Sequence, residues 1–174
     1  MKRYFFMEQD KSISNSICLE RFDIKGPKHI FLKKDAPRLN DTTVLYLGEN
    51  SGEIAPDFLQ SPVYMVSDMV QKVLSMYEDS LIFKRVVMID KMNSSQIIYY
   101  HVLFEEIEGL DPLLERYPDG TEKKVCLSKD KIGDYRAFML KDSRIRKPVI
   151  SLEVAESLLR RKLTGVIFKE IEVV

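Results

Sequence analysis

Residues 62–84, PVYMVSDMVQKVLSMYEDSLIFK, and residues 148–169, PVISLEVAESLLRRKLTGVIFK, decide how this chain of 174 residues is read. In each, a short apolar run leads to a serine, an amphipathic stretch follows, and an Ile-Phe-Lys strand closes the segment. After Ser67, the residues Val70, Val73, Leu74 and Tyr77 recur at the i, i+3, i+4 and i+7 spacing of a helix with one buried stripe. Leu152, Ala155, Leu158 and Leu159 form the second stripe, after Ser151. A serine hydroxyl at such a position accepts a bond from an orphaned N–H of the first turn, so both serines are expected to be N-caps. Ser67 and Ser151 lie 84 residues apart, as do Leu74 and Leu158, while Phe83 and Phe168 lie 85 apart after a one-residue slip. The expectation is a strand–helix–strand unit present twice, its helices covering one face of a sheet. Ancestral duplication and the generic look of any capped helix between strands both account for the likeness.

Outward from these units, the first half of the chain reads as strands joined by turns. Arg3 to Glu8, Ile17 to Ile24, His29 to Lys33 and Thr43 to Leu47 are β-branched or aromatic runs separated by Gly26-Pro27, Ala36-Pro37 and Gly48 to Gly52. An antiparallel meander is the simplest expectation. Leu81 to Ile89 and Ile97 to Ile107 read as a hairpin around Lys91 to Ser95, Asp111 to Tyr117 as a short helix, and Pro118-Asp119-Gly120 as a turn. The expected fold is therefore α+β, a single domain over residues 1–174, with a largely antiparallel sheet and two Ser-capped helices in a strand–helix–strand repeat. Within it, residues 1–56 form a β-rich N-terminal region.

Composition bounds the function only loosely. The 27 Lys and Arg balance 27 Asp and Glu, which excludes a globally basic nucleic-acid coat. A chain of this length buries roughly 70% of the surface its unfolded form exposes, enough to fold without disulfide or metal. The apolar run Tyr4 to Met7 is too short for a signal peptide, and no stretch approaches the ~18 apolar residues of a membrane span, so a cytoplasmic protein is expected. Cys18 and Cys126, in strand-like segments without metal-ligand spacing, are expected to be buried free thiols.

Charge falls in alternating blocks. Residues 105–122 carry seven acids and one base, and residues 123–147 nine bases and three acids. Neighbouring blocks of opposite sign are expected to neutralise each other on the folded surface. The alternative is that the acidic block, through Glu105, Glu106, Glu108 and Asp111, attracts a basic partner and speeds its association.

Catalytic patterns are scarce. His29 and His101 are the only histidines, and neither has a local signature that would make Cys18 or Cys126 a nucleophile. No ligand spacing suggests a metal, and Gly48 to Gly52 lacks the Lys-Ser/Thr of a phosphate loop and reads as a turn. No cofactor is expected. The bases between Lys123 and Lys147 flank Tyr135 and Phe138, but without an aromatic ladder Phe138 reads as core, which disfavours nucleic-acid binding.

Taken in order, several segments resemble a bacterial immunity-protein family associated with polymorphic-toxin loci. They are Asp57-Phe58-Leu59, Tyr64-Met65-Val66-Ser67 with its helix, Ile97 to Leu103 leading to Gly109-Leu110-Asp111, Phe138-Met139-Leu140-Lys141, and Pro148-Val149-Ile150-Ser151 through Leu163-Thr164-Gly165-Val166-Ile167-Phe168. The resemblance covers residues 57–174. It implies a protein that occupies a cognate toxin domain and blocks it by stoichiometric binding, with no catalytic residues of its own. Charge reversal at the four acidic positions is then expected to weaken binding and flatten its salt dependence. Two other readings carry different expectations: a small enzyme needs a pocket joining a histidine to a cysteine or carboxylate, and an RNA-associated protein needs salt-sensitive binding through residues 123–147.

Overall fold

In the computed structural model, which describes residues 2–20 and 32–174, the repeated segments form the frame of two sheets. In chain order the strands are β1 (Tyr4–Gln9), β2 (Thr42–Tyr46), β3 (Phe58–Leu59), β4 (Met65–Ser67), β5 (Ile82–Asp90), β6 (Ser95–Leu103), β7 (Glu106–Ile107), β8 (Cys126–Leu127), β9 (Ala137–Leu140), β10 (Val149–Ser151) and β11 (Val166–Val173). The helices are α1 (Asp68–Tyr77), α2 (Lys129–Ile132) and α3 (Leu152–Leu159). The result is a single α+β domain in which antiparallel pairing predominates, with β2 on β5, β8 on β11 and β7 on β9 parallel.

One sheet runs β2-β5-β6-β4-β3 and the other β8-β11-β1-β10-β9-β7. Apart from β7, the two orders correspond strand for strand, and so do their registers. Ser67 stands opposite Tyr99 on β6, and Ser151 opposite Tyr4 on β1. Val86 and Ile171 flank the same two tyrosines from the other side. The Tyr99 hydroxyl donates to the Pro56 carbonyl at 2.7 Å, and the Tyr4 hydroxyl to the Tyr135 carbonyl at 3.0 Å. Burial pushes both phenols above the ordinary tyrosine value, which keeps them protonated as donors. The sequence repeat is thus a repeat of topology and hydrogen bonding.

Three apolar clusters hold the halves together. The helix-bearing faces of both sheets share one core, built from Val66, Val102, Met7 and Ile150 with Val73 and Leu74 of α1 and Val154 and Leu158 of α3. The opposite face of the β5–β6 sheet packs Leu45, Met65, Val86 and Tyr99 under Ile17 and Leu47. The opposite face of the β1–β11 sheet packs Phe6, Phe138 and Ile171 under Val125, Leu127 and Ile132.

Several expectations are corrected. The helices sit between two sheets instead of on one. The first half is no meander: β1 joins the C-terminal strands, β2 runs parallel to β5, and Lys33–Arg38 is a 3-10 helix. Strand pairing is decided by distant burial, which local alternation does not encode. Residues 21–31, which include His29 and the second half of the run Ile17 to Ile24, lie outside the described residues. Asp111 to Tyr117 is a turn segment, in which the Asp111 carboxylate accepts the Leu113 N–H at 2.7 Å. Ser67 caps α1, its hydroxyl accepting from the Val70 N–H at 3.4 Å and donating to Asp57 at 2.7 Å. Ser151 holds the N-cap position of α3 but makes no capping bond, and its hydroxyl donates to Glu153 at 3.1 Å. The hairpin of β5 and β6 and the turn at Gly120, with φ +84°, are as expected.

Candidate protein-interaction face

Three of the four acidic residues singled out by sequence are held by bases of the same chain. Glu105 lies 3.4 Å from Lys33, Glu106 2.8 Å from Arg146, and Glu108 2.6 Å from Lys141. The hydrogen bond from Lys141 holds the Glu108 carboxyl below its usual range. Asp111 serves its own turn. Glu108 and Asp111 line one groove of about 310 Å³ that they share with Arg116, Lys131 and Lys141, whereas Glu105 and Glu106 lie at β7. The neighbouring blocks neutralise each other here, as one of the two sequence readings expects.

Six of the nine bases in the basic segment are answered in the same way, while Lys129, Lys131 and Arg144 form no ion pair among the described residues. Lys123 pairs with Glu115, Lys124 with Glu172, Arg136 with Glu153 and Lys147 with Glu8. Phe138 is fully buried, a core residue as expected.

The thiols differ from expectation. Cys18 is exposed and Cys126 half-buried, both unbridged. Burial pushes the Cys126 thiol up, and Glu172 and Asp111 push the same way, which suppresses the thiolate a nucleophile needs. His101 is buried on β6, in the other sheet from Cys126. Among the described residues no three His, Cys, Asp or Glu side chains gather as metal ligands, and no helix is long and apolar enough to cross a membrane.

What stands out chemically is a sheet face that the sequence reading passed over. Residues paired across neighbouring strands share a face, and on the face whose Tyr100 packs against the helix core three rows follow one another on β2, β5 and β6. They are Thr42, Arg85 and Tyr100, then Val44, Val87 and Ile98, then Tyr46, Ile89 and Gln96. Val44 is 46% exposed and Tyr46 41%, with Val87, Ile89 and Ile98 half-buried beside them. Lys91 lies 4.2 Å from the Tyr46 ring centre, a cation over an aromatic face.

The corresponding rows of the other sheet are charged. Register makes Glu172 the counterpart of Val87, Cys126 that of Val44 and Arg3 that of Ile98. There Arg3 grips Glu170 through two bonds of 2.6 and 3.0 Å, and Lys124 reaches Glu172 at 2.5 Å. Among the described residues, one half of the molecule thus closes this surface with its own ion pairs, and the other leaves it apolar and open. In sequence, the signal was the unbroken apolar runs Val86 to Ile89 and Ile97-Ile98, which present apolar side chains to both faces of the sheet.

No protein-family model matches the chain, and no curated protein matches it. The resemblance to the immunity-protein family stands on the motifs quoted above.

Proposed function

We propose that this chain is an immunity protein that neutralises a cognate bacterial toxin domain by stoichiometric binding in the cytoplasm, without chemistry of its own. The observation that carries this reading is the apolar face of β2, β5 and β6, whose twin is closed by ion pairs. An apolar centre with an aromatic and an arginine within a polar rim is the composition of a protein-binding hot spot. A stable interface buries on the order of 1,200–2,000 Å² in total, so Thr42, Lys91 and Gln96 at the margin belong to it as well. The raised Cys126 thiol favours binding over catalysis, and the pairing of six of the nine bases in residues 123–147 favours it over nucleic-acid contact. The test is to co-express the chain with the toxin domain encoded beside it. Growth should be restored and a 1:1 complex should elute on size exclusion with light scattering. Unrelieved toxicity together with separate elution would contradict the reading.

A further inference from the structure

The correspondence between the halves also specifies the chemistry of the partner, given the immunity reading proposed above on which this rests. Arg85, opposite Tyr100 on β6, is the register counterpart of Glu170, opposite Phe5 on β1. Glu170 is answered from within the chain, by Arg3 at 2.6 Å. At the place corresponding to Arg3 stands Ile98, which offers no charge.

Arg85 is exposed and forms no ion pair among the described residues. The bases around it are all answered: Lys84 by Asp41 at 2.6 Å, Lys72 by Asp68 at 2.6 Å and Lys91 by Glu20 at 3.4 Å. At one end of the open face there thus stands a guanidinium with no ion-pair partner among the described residues, in the row next to Val87 and Ile98 and opposite Tyr100. In water that charge is solvated at no cost. Covered by a partner, it loses its water and demands a counter-charge within hydrogen-bonding reach.

We infer that the toxin domain docks on the face of β2, β5 and β6 and delivers an Asp or Glu carboxylate, set in an apolar surface, onto Arg85. The guanidinium fork accepts such a group with two parallel bonds, the geometry that Arg3 and Glu170 already display in the other half. A second copy of the chain is the poorer occupant. A two-fold contact through this face would bring two uncompensated Arg85 side chains toward one axis.

The test measures affinity for the toxin domain encoded beside this chain, with calorimetry for binding and thermal unfolding as the check on folding. Arg85→Glu should weaken binding at least 100-fold and Arg85→Gln at least tenfold, both with unchanged melting temperature. The double variant Arg85→Glu with Ile98→Arg rebuilds the ion pair of the other half and should fold normally yet fail to bind. One Asp→Lys or Glu→Lys change on the toxin should restore binding to Arg85→Glu. A wild-type complex that Arg85→Glu leaves intact would overturn the inference while sparing the immunity reading. Self-association of the free chain that Arg85→Glu changes would assign the face to a second copy and overturn it too. No complex with the wild-type chain would remove the immunity reading, and the inference with it.

Discussion

The β2–β5–β6 face and the β8–β11–β1 face occupy the same place in two copies of one topology, and they differ where the copies meet solvent. Inward positions keep their chemistry: Tyr4 and Tyr99, Ile171 and Val86, Ile150 and Val66, Leu158 and Leu74. Outward positions do not, for Arg3, Glu170 and Glu172 on one side correspond to Ile98, Arg85 and Val87 on the other. The packed interior dictates side-chain type at its own positions, while the surface is free to be closed by charge or left open for a partner. The difference between the halves therefore reports function better than either half alone.

The comparison breaks most severely at the core. Leu74→Ala and Leu158→Ala remove side chains that are both fully buried in the shared cluster. Each should lower the unfolding free energy by about 2–5 kcal/mol, measured by urea titration. A much smaller loss for one of them would show that the two helices are not equivalently packed.

A smaller effect, of defined sign, sits at Glu8 on β1, which receives Lys147 at 2.9 Å and Lys169 at 3.0 Å. Burial pushes its carboxyl up, but the hydrogen bonds from the two lysines outweigh this and hold it below the ordinary value of 4.5. A lowered folded value means that the carboxylate stabilises the protein above 4.5 and that this contribution is lost as pH falls through the folded value. Wild type should exceed Glu8→Gln in stability at neutral pH, and the gap should close between about pH 5 and pH 2. A gap constant across that range would contradict the ion-pair account.

The caps provide the smallest contrast. Ser67→Ala should cost about 1 kcal/mol because the Val70 N–H loses its acceptor, whereas Ser151→Ala, which removes no capping bond, should cost a few tenths. Equal losses would show that the difference in hydrogen bonding does not matter to stability.

Much of the frame was legible in the sequence because it is local. Helix stripes, the serines before them and the spacing of 84 residues report structure formed by neighbours in the chain. The placement of β1 was not legible, since its partners on β10 and β11 lie more than 140 residues away. Ser151 looked like Ser67 and holds the same place before its helix, but its hydroxyl donates to Glu153 and accepts no capping bond. The open face was hidden for a related reason: Val44, Val87 and Ile98 look like core residues, and only the fold leaves Val44 exposed and Val87 and Ile98 half-buried beside it. The pairing of the acidic stretch was hidden for the same reason, since Glu105, Glu106 and Glu108 meet Lys33, Arg146 and Lys141, bases distant in sequence.

The most direct measurement is amide hydrogen exchange of the chain, free and bound to the toxin domain proposed as its partner. New protection should concentrate on residues 42–46 and 85–98, leaving 124–127 and 170–173 exchanging as in the free protein. Protection on the charged face instead, or spread equally over both, would contradict the assignment of binding to the open half.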